Sequence, residues 1–353
     1  MKSAGNASVA VLILVFSLSV IFLAVAAFSG SLARLLTGFS QDGDERALLS
    51  EEARKTIQLL CQDPTPEADS PLDPVWAEIA IPSLPDATVT LKDLSSRINP
   101  SAALDRLLQA VNAYRSGVSY EAFHKYRLEE GPLTDLERTG ADFFREELLD
   151  KFFTGYSFFN VNTANESMLF RMYEIRTGVK ATSTTFASAV RNKRTAKAFF
   201  TQNDLKTLLG GEADNLYPYI SALPEMNVNL MDPDLLGAVL GMAKNVFKLE
   251  LKGNPRDAIL AMRAGAEITN DRLAALIQPK FKETILESYL GCRTWFWGIT
   301  VARSGAVYRA VAVRLPAPPG RPDKEIRFRL LEETFAKAEA APEKKEETET
   351  NDE

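Results

Sequence analysis

The segment Val9–Phe28 constrains this chain more than any other: it carries no charge, and only Ser17 and Ser19 interrupt its apolar run. At about 1.5 Å per residue, a helix of that length matches the ~30 Å hydrocarbon core of a bilayer. In hydrocarbon every backbone N–H and C=O must be paired within the segment, so a transmembrane helix is the expected conformation. Lys2 and the amino terminus supply a positive flank, which places the residues after Phe28 outside the cytoplasm.

Three fates fit such a segment. A secretory signal would use the small residues Ala24-Val25-Ala26, although the apolar run is long for one. A plain signal anchor fits the length. A prepilin-type leader would have a very short basic start, Met1 and Lys2, and a cut on the cytoplasmic side after Gly5. Asn6 would then be the new first residue, and the apolar helix would stay in the membrane with Val9, Leu12, Val15, Leu18 and Phe22 available to pack on neighbouring helices.

Beyond the membrane the apolar pattern becomes one-sided. Leu49, Ala53, Ile57 and Leu60 fall on one helical face, with Glu45, Glu51, Glu52, Arg54 and Lys55 elsewhere, until Pro64 and Pro66 end the helix. That face is a candidate surface for partners. Pro- and acid-rich residues 63–73 read as a loop, and extended segments are expected near Trp76–Ile81 and Thr88–Leu91.

From Asn99 to Glu287 the signals are helical. Pro100-Ser101 opens a helix bearing Leu104, Leu107, Leu108 and Val111; Thr163-Ala164-Asn165-Glu166 reads as a capping box, and Gly178 closes its helix. Asp232-Pro233 and Asn254-Pro255 each combine an N-cap with proline at the first helical position. Strand signals return at Thr294–Ala302 and Ala306–Leu315 around Arg303-Ser304-Gly305, then at Ile326–Leu330. The early strands need the late ones to make a viable sheet, so the helical part is an insertion.

Charge and ligand inventory narrow the chemistry. Net charge is −6 with both signs interspersed, which argues against a nucleic-acid surface. One histidine, His124, and two distant cysteines, Cys61 and Cys292, leave no zinc array, and free thiols are preferred to a disulfide. No pair of carboxylates is marked as an acid/base site, so no enzyme activity, cofactor or metal site is expected from the residues. The basic cluster Arg191, Lys193, Arg194 and Lys197 reads as a solvated helix face rather than a dock for an acidic partner.

Several segments, in order, resemble the general secretion pathway protein K family, the minor pseudopilins of type II secretion. Trp76-Ala77-Glu78, then Asp93, Arg97 and Asn99 in Leu91–Asn99, are similar to its tryptophan and aspartate-led segment. Tyr219 and Pro224 in Leu216–Pro224, with Asn227 and Asn229 in Met226–Asn229, resemble its next segment, and Ser288-Tyr289 through Arg314 its closing strands. The resemblance implies an α+β, helix-rich fold: an N-terminal transmembrane helix, a pilin-like helix on a small antiparallel sheet, and a large inserted α-helical domain. The expected division is leader 1–5, membrane helix 6–28, amphipathic extension 29–62, first part of the pilin-like domain 63–98, insertion 99–287, closing strands 288–335 and a disordered acidic tail 336–353.

The resemblance also implies a role. K pseudopilins lack the glutamate that other pseudopilins carry five residues into the mature chain, and Ala10 stands there. Expected partners are minor pseudopilins of the I and J types, the major pseudopilin, the prepilin peptidase and the inner-membrane secretion platform. The expected location is the bacterial inner membrane in a single pass, with the amino terminus cytoplasmic and the C-terminal domain periplasmic. A structural Ca²⁺ is compatible with the family, but no ligands for it are identifiable here. Two other readings stay open: an anchored helix-hairpin-helix DNA binder, suggested by Asn160-Val161-Asn162 and Asn227-Val228-Asn229, and a plain anchored scaffold.

Overall fold

The computed structural model describes residues 43–133, 136–278, 280–316 and 326–337. The leader, the membrane segment and the tail beyond Lys337 lie outside the described residues, and with them Gly5, Asn6, Val9, Ala10, Leu12, Val15, Leu18 and Phe22. Among the described residues no helix is long and apolar enough to cross a membrane.

Residues 43–61 form α1. A second helix, α2 (Pro74–Ile79), stands where the sequence suggested an extended segment. The reason is local: Asp73 caps it through Val75 N and Pro74 occupies the first position, the same device read correctly at Asp232-Pro233. The chain then enters β1 (Thr88–Asp93). Four helices follow: α3 (Asp105–Tyr114), α4 (Tyr120–Glu129), α5 (Leu136–Gly140) and α6 (Glu146–Phe152). Helix α3 starts later than Pro100-Ser101 implied, because the Asn99 side chain accepts from Ser101 N and Ala102 N and holds that stretch as a turn.

The next part of the chain is built twice. Strand β2 (Phe159–Asn160) leads through α7 (Glu166–Thr177), α8 (Thr185–Thr195), α9 (Gln202–Leu209) and α10 (Ala213–Leu216) to β3 (Ile220–Ser221), which pairs with β2 in parallel. Strand β4 (Met226–Asn227) leads through α11 (Pro233–Asn245), α12 (Pro255–Arg263), α13 (Asn270–Ile277) and α14 (Ile285–Tyr289) to β5 (Leu290–Gly291), again parallel to its opener. The first unit has its own core, including Leu169, Phe186, Leu205 and Ile220. The second shares a core with α3–α6, where Leu107, Phe123 and Phe153 join Leu236, Val239 and Leu286.

The chain closes with β6 (Phe296–Arg303), β7 (Ala306–Leu315) and β8 (Arg327–Lys337). These join β1 in an antiparallel sheet of order β1-β6-β7-β8. Sheet closure therefore spans residues 94–295, as the insertion argument required. The β6–β7 turn has two residues, Ser304 (φ 48°) and Gly305 (φ 79°), both left-handed, which matches the right-handed twist of the flanking strands. Strand β8 runs past Leu330 to Lys337, with a bulge where its register shifts between Val311 and Ala312 of β7.

One face of the sheet receives α1. Ile299 and Val301 of β6 and Ala306, Tyr308, Ala310 and Ala312 of β7 form a core with Leu49 and Ala53. Three alanines on that strand keep its surface low, so the helix can approach closely. Burying a leucine such as Leu49 contributes about 1.5–3 kcal/mol. Near the insertion Leu94, Phe158, Trp295, Phe296 and Val313 form a separate seam.

Candidate functional site

The apolar face proposed for partners is consumed inside the molecule. Leu49, Ala53 and Leu60 are buried and Ile57 is half-buried, packed on the sheet or beside Trp297. An amphipathic helix needs one apolar surface to cover its stripe, and the sheet supplies it. The outward side of α1 instead presents Leu48, Glu51, Arg54, Lys55 and Gln58.

The motif residues hold joints. Trp76 meets Trp297 edge-on at a centroid distance of 5.4 Å, fixing α2 on the sheet. Asp93 ends β1 by accepting from Ser95 N and Ser96 N at 2.9 and 3.1 Å, and Arg97 reaches Asp93 O and Phe153 O. Ring contact between Arg176 and Tyr219 is close, at 3.4 Å. Pro224 packs so tightly on Gly291 that a Cβ there would lie 2.6 Å from Pro224 Cβ.

The two Asn-Val-Asn segments do equivalent work in the two units. Asn160 and Asn227 each turn the chain by accepting, on the side-chain oxygen, from the N–H two residues on, at 2.8 and 3.0 Å. Asn162 brackets Phe200 by accepting from its N–H and donating to its carbonyl, as Asn229 brackets Ile268. Arg194 donates to Val161 O and Ala164 O; Arg263 donates to Val228 O and Met231 O. These asparagines are spent within the protein, on backbone groups and on the Ser288 and Thr294 hydroxyls. Thr163 was read as the start of a capping box, but Asn165 caps α7, while the Thr163 hydroxyl donates to Glu225.

The basic cluster is divided, with Arg191 and Lys197 on the exposed face and Lys193 and Arg194 half-buried. Lys193 pairs with Asp204 at 2.6 Å and lies over the Phe200 ring, Arg191 pairs with Glu166 at 2.9 Å, and Arg194 holds the turn just described. No signal short of the fold shows this, since the partners are distant or are backbone carbonyls.

A second polar centre lies where the loop at 62–73 meets β7 and the α12–α13 connection. Arg314 forks onto Asp69 at 2.8 and 3.0 Å, and Asp69 also accepts from Thr294 N at 2.7 Å. Asp63 and Asp73 are buried beside it. Burial pushes Asp69 up to about 6 despite the Arg314 guanidinium. Glu267 is pushed up to about 7 by burial and then by the Asp73 charge. Glu225, enclosed between the two units, is pushed up to about 8 by burial, against the Thr163 hydrogen bond. Both cysteines are free thiols, and burial raises Cys292 to about 12.

No family model matches the chain, and no curated protein matches it. Among solved structures it is similar to a chain of the GspK–GspI–GspJ complex from the type 2 secretion system of enterotoxigenic Escherichia coli. The identity is 16%, with 87% of this chain and 99% of that chain covered and a TM-score of 0.33.

Proposed function

We propose that this chain is a minor pseudopilin of the K type, a non-enzymatic component at the tip of a type II secretion pseudopilus. The observation that carries the reading is the split sheet: β1 precedes the insertion, β6–β8 follow it, and α1 lies across the resulting face. An anchored helix running into a helix-on-sheet head suits subunits drawn out of a membrane and packed side by side. The apolar segment Val9–Phe28 holds the subunit in the inner membrane before assembly. Ala10 offers no charge to the amino terminus of a subunit above, which suits a terminal position, and the insertion blocks further addition on top. Minor pseudopilins of the I and J types, the major pseudopilin and the secretion platform are the partners in this scheme. They meet the outward side of α1 around Leu48, Glu51 and Arg54.

The test is the intact mass of the membrane-extracted protein, made with and without the prepilin peptidase. Peptidase-dependent loss of Met1 to Gly5 is the expected result. An uncut chain in both samples would favour a plain anchored scaffold, and a cut near Ala26 would mean a released protein and end the proposal.

A further inference from the structure

The sheet is covered on one side only. Its register places Thr90, Thr300, Arg309 and Thr334 in one row across the four strands, with Lys92 and Glu332 at the two ends of the next row. Residues paired across strands share a face, here the one turned away from α1. All six are exposed or half-buried, whereas Ile299, Val301, Tyr308 and Ala310 on the α1 side are buried. Leu94 and Phe158 cover only the end of this face nearest the insertion, beside Phe296 and Val313. The uncovered face is basic. Lys92 and Arg309 stand exposed on it, and among the described residues their side chains have no ion pair or hydrogen bond. Arg329, opposite Val313, adds a cation at the insertion end. Glu332 is the one carboxylate of this face among the described residues, and it already accepts from the Tyr156 hydroxyl at 2.7 Å.

Exposed cations are ordinarily left to water unless an acidic chain is held nearby, and this chain carries one. After Lys337, residues 338–353 hold seven acidic residues against two lysines, a formal −5 in a chain of net charge −6. The rest of the molecule is therefore close to neutral, and the acidic excess begins where β8 ends. Lys337 pairs with Ala306 at the hairpin corner, and Ala336 beside it lies on the uncovered face, opposite Val307. Arg309 sits opposite Thr334, about 10 Å back along β8, and Lys92 lies across the sheet on β1, about 15 Å from β8. The cluster Glu343–Glu349 starts about 20 Å of extended chain beyond Lys337, enough to turn back at residues 338–342 and reach both cations. Single exposed ion pairs are weak, but a tethered segment acts at a high effective concentration, so several weak pairs together can hold it.

We propose that the acidic segment 338–353 folds back across the uncovered sheet face of its own chain and sets its Glu343–Glu349 cluster against Lys92, Arg309 and Arg329. Small side chains such as Thr300, Val307 and Val311 leave the face low enough for an extended segment to lie on it. Held there by charge, the segment closes the face to acidic chains from other proteins, and the contact weakens as salt rises. This contact does not depend on the pseudopilin reading.

The experiment is carbodiimide coupling of the full-length protein in detergent at low ionic strength, with equal amounts of unlabelled and ¹⁵N-labelled chain and the products read by peptide mass spectrometry. Coupling joins a carboxylate to a lysine amine only where the two are in contact. The expected result is amides between the carboxylates of 338–353 and Lys92, within single chains. Their yield should fall at least about fivefold in roughly 0.5 M NaCl, where the Debye length is only about 4 Å. Arg309→Glu, an exposed change read alongside an unchanged Tm, should lower it similarly at low salt. Glu346→Gln with Glu347→Gln and Glu349→Gln, outside the described residues, provides a second variant in which coupling through Glu343 should also fall. Three outcomes overturn the proposal. They are no amide at Lys92, amides spread evenly over Lys92 and lysines off this face such as Lys125 and Lys252, and amides joining labelled to unlabelled chains, which would make a second copy the occupant.

Discussion

At the scale of single residues, Glu225 shows how burial sets a stability profile. Its carboxyl is raised from 4.5 to about 8, so the folded protein keeps it neutral where the unfolded chain ionises it. The favourable contribution is therefore complete below the unfolded value and declines as pH rises, by about 1.4 kcal/mol per unit. It is gone once pH passes the folded value near 8. Glu225→Gln retains an oxygen for the Thr163 hydroxyl and removes the titration. Denaturant unfolding of parent and variant at pH 5 and pH 8.5 should show the variant losing less stability on alkalinisation and exceeding the parent at the higher pH. Parallel curves would show that Glu225 does not titrate in the native state. Nothing in the sequence around Glu225 marks it, because its burial is created by Thr163 and Tyr289 from two different units.

At the scale of elements, the paired turns make a sharper prediction. Arg194→Met and Arg263→Met each strip donors from two carbonyls, Val161 O and Ala164 O in one case, Val228 O and Met231 O in the other. Each unsatisfied buried carbonyl costs about 1–3 kcal/mol, less what is regained by no longer burying a guanidinium. Hydrogen exchange followed by mass spectrometry should localise the first change to residues 159–221, which have their own core. The second should spread from 226–291 into α3–α6, which share one. Equal spread in both variants would contradict the separation of the cores. The asparagine segments were visible as a pair in the sequence, but the arginines were not, since a side chain in the last turn of α8 or α12 has no fixed spacing to the turn it serves. Caps were legible at Asp232 and Asn254, where proline follows, but not at Asp73, where the same device opens α2.

At the scale of the whole molecule, the insertion decides how the chain must fold: β1 waits for β6 across residues 94–295 before the sheet exists. The position of Ala10 is separate from that event. If the proposed pseudopilin role holds, Ala10→Glu should leave the Tm of the folded body unchanged and leave assembly intact, checked by thermal melting and by co-purification with minor pseudopilins of the I and J types. Loss of assembly with normal melting would remove the argument for a terminal position.

What the sequence determined by itself was local. Periodicity and caps located several of the helices, among them α1, α3, α7, α11 and α12, the Ser304-Gly305 turn located a hairpin, and the order of strand and helix signals required an insertion. The structure decided which surfaces are left over. Leu49, Ala53 and Leu60 make an apolar stripe whether it meets a partner or the chain's own sheet, and only the register of alanines on β7 assigns it to the sheet. Asp63, Asp69 and Asp73 read as a solvated acidic loop until Arg314, far along the chain, turns inward from β7 and draws them together. Hydrophobic pattern is encoded one residue at a time, whereas burial of charge depends on which distant segments share a volume, and that is settled by packing alone.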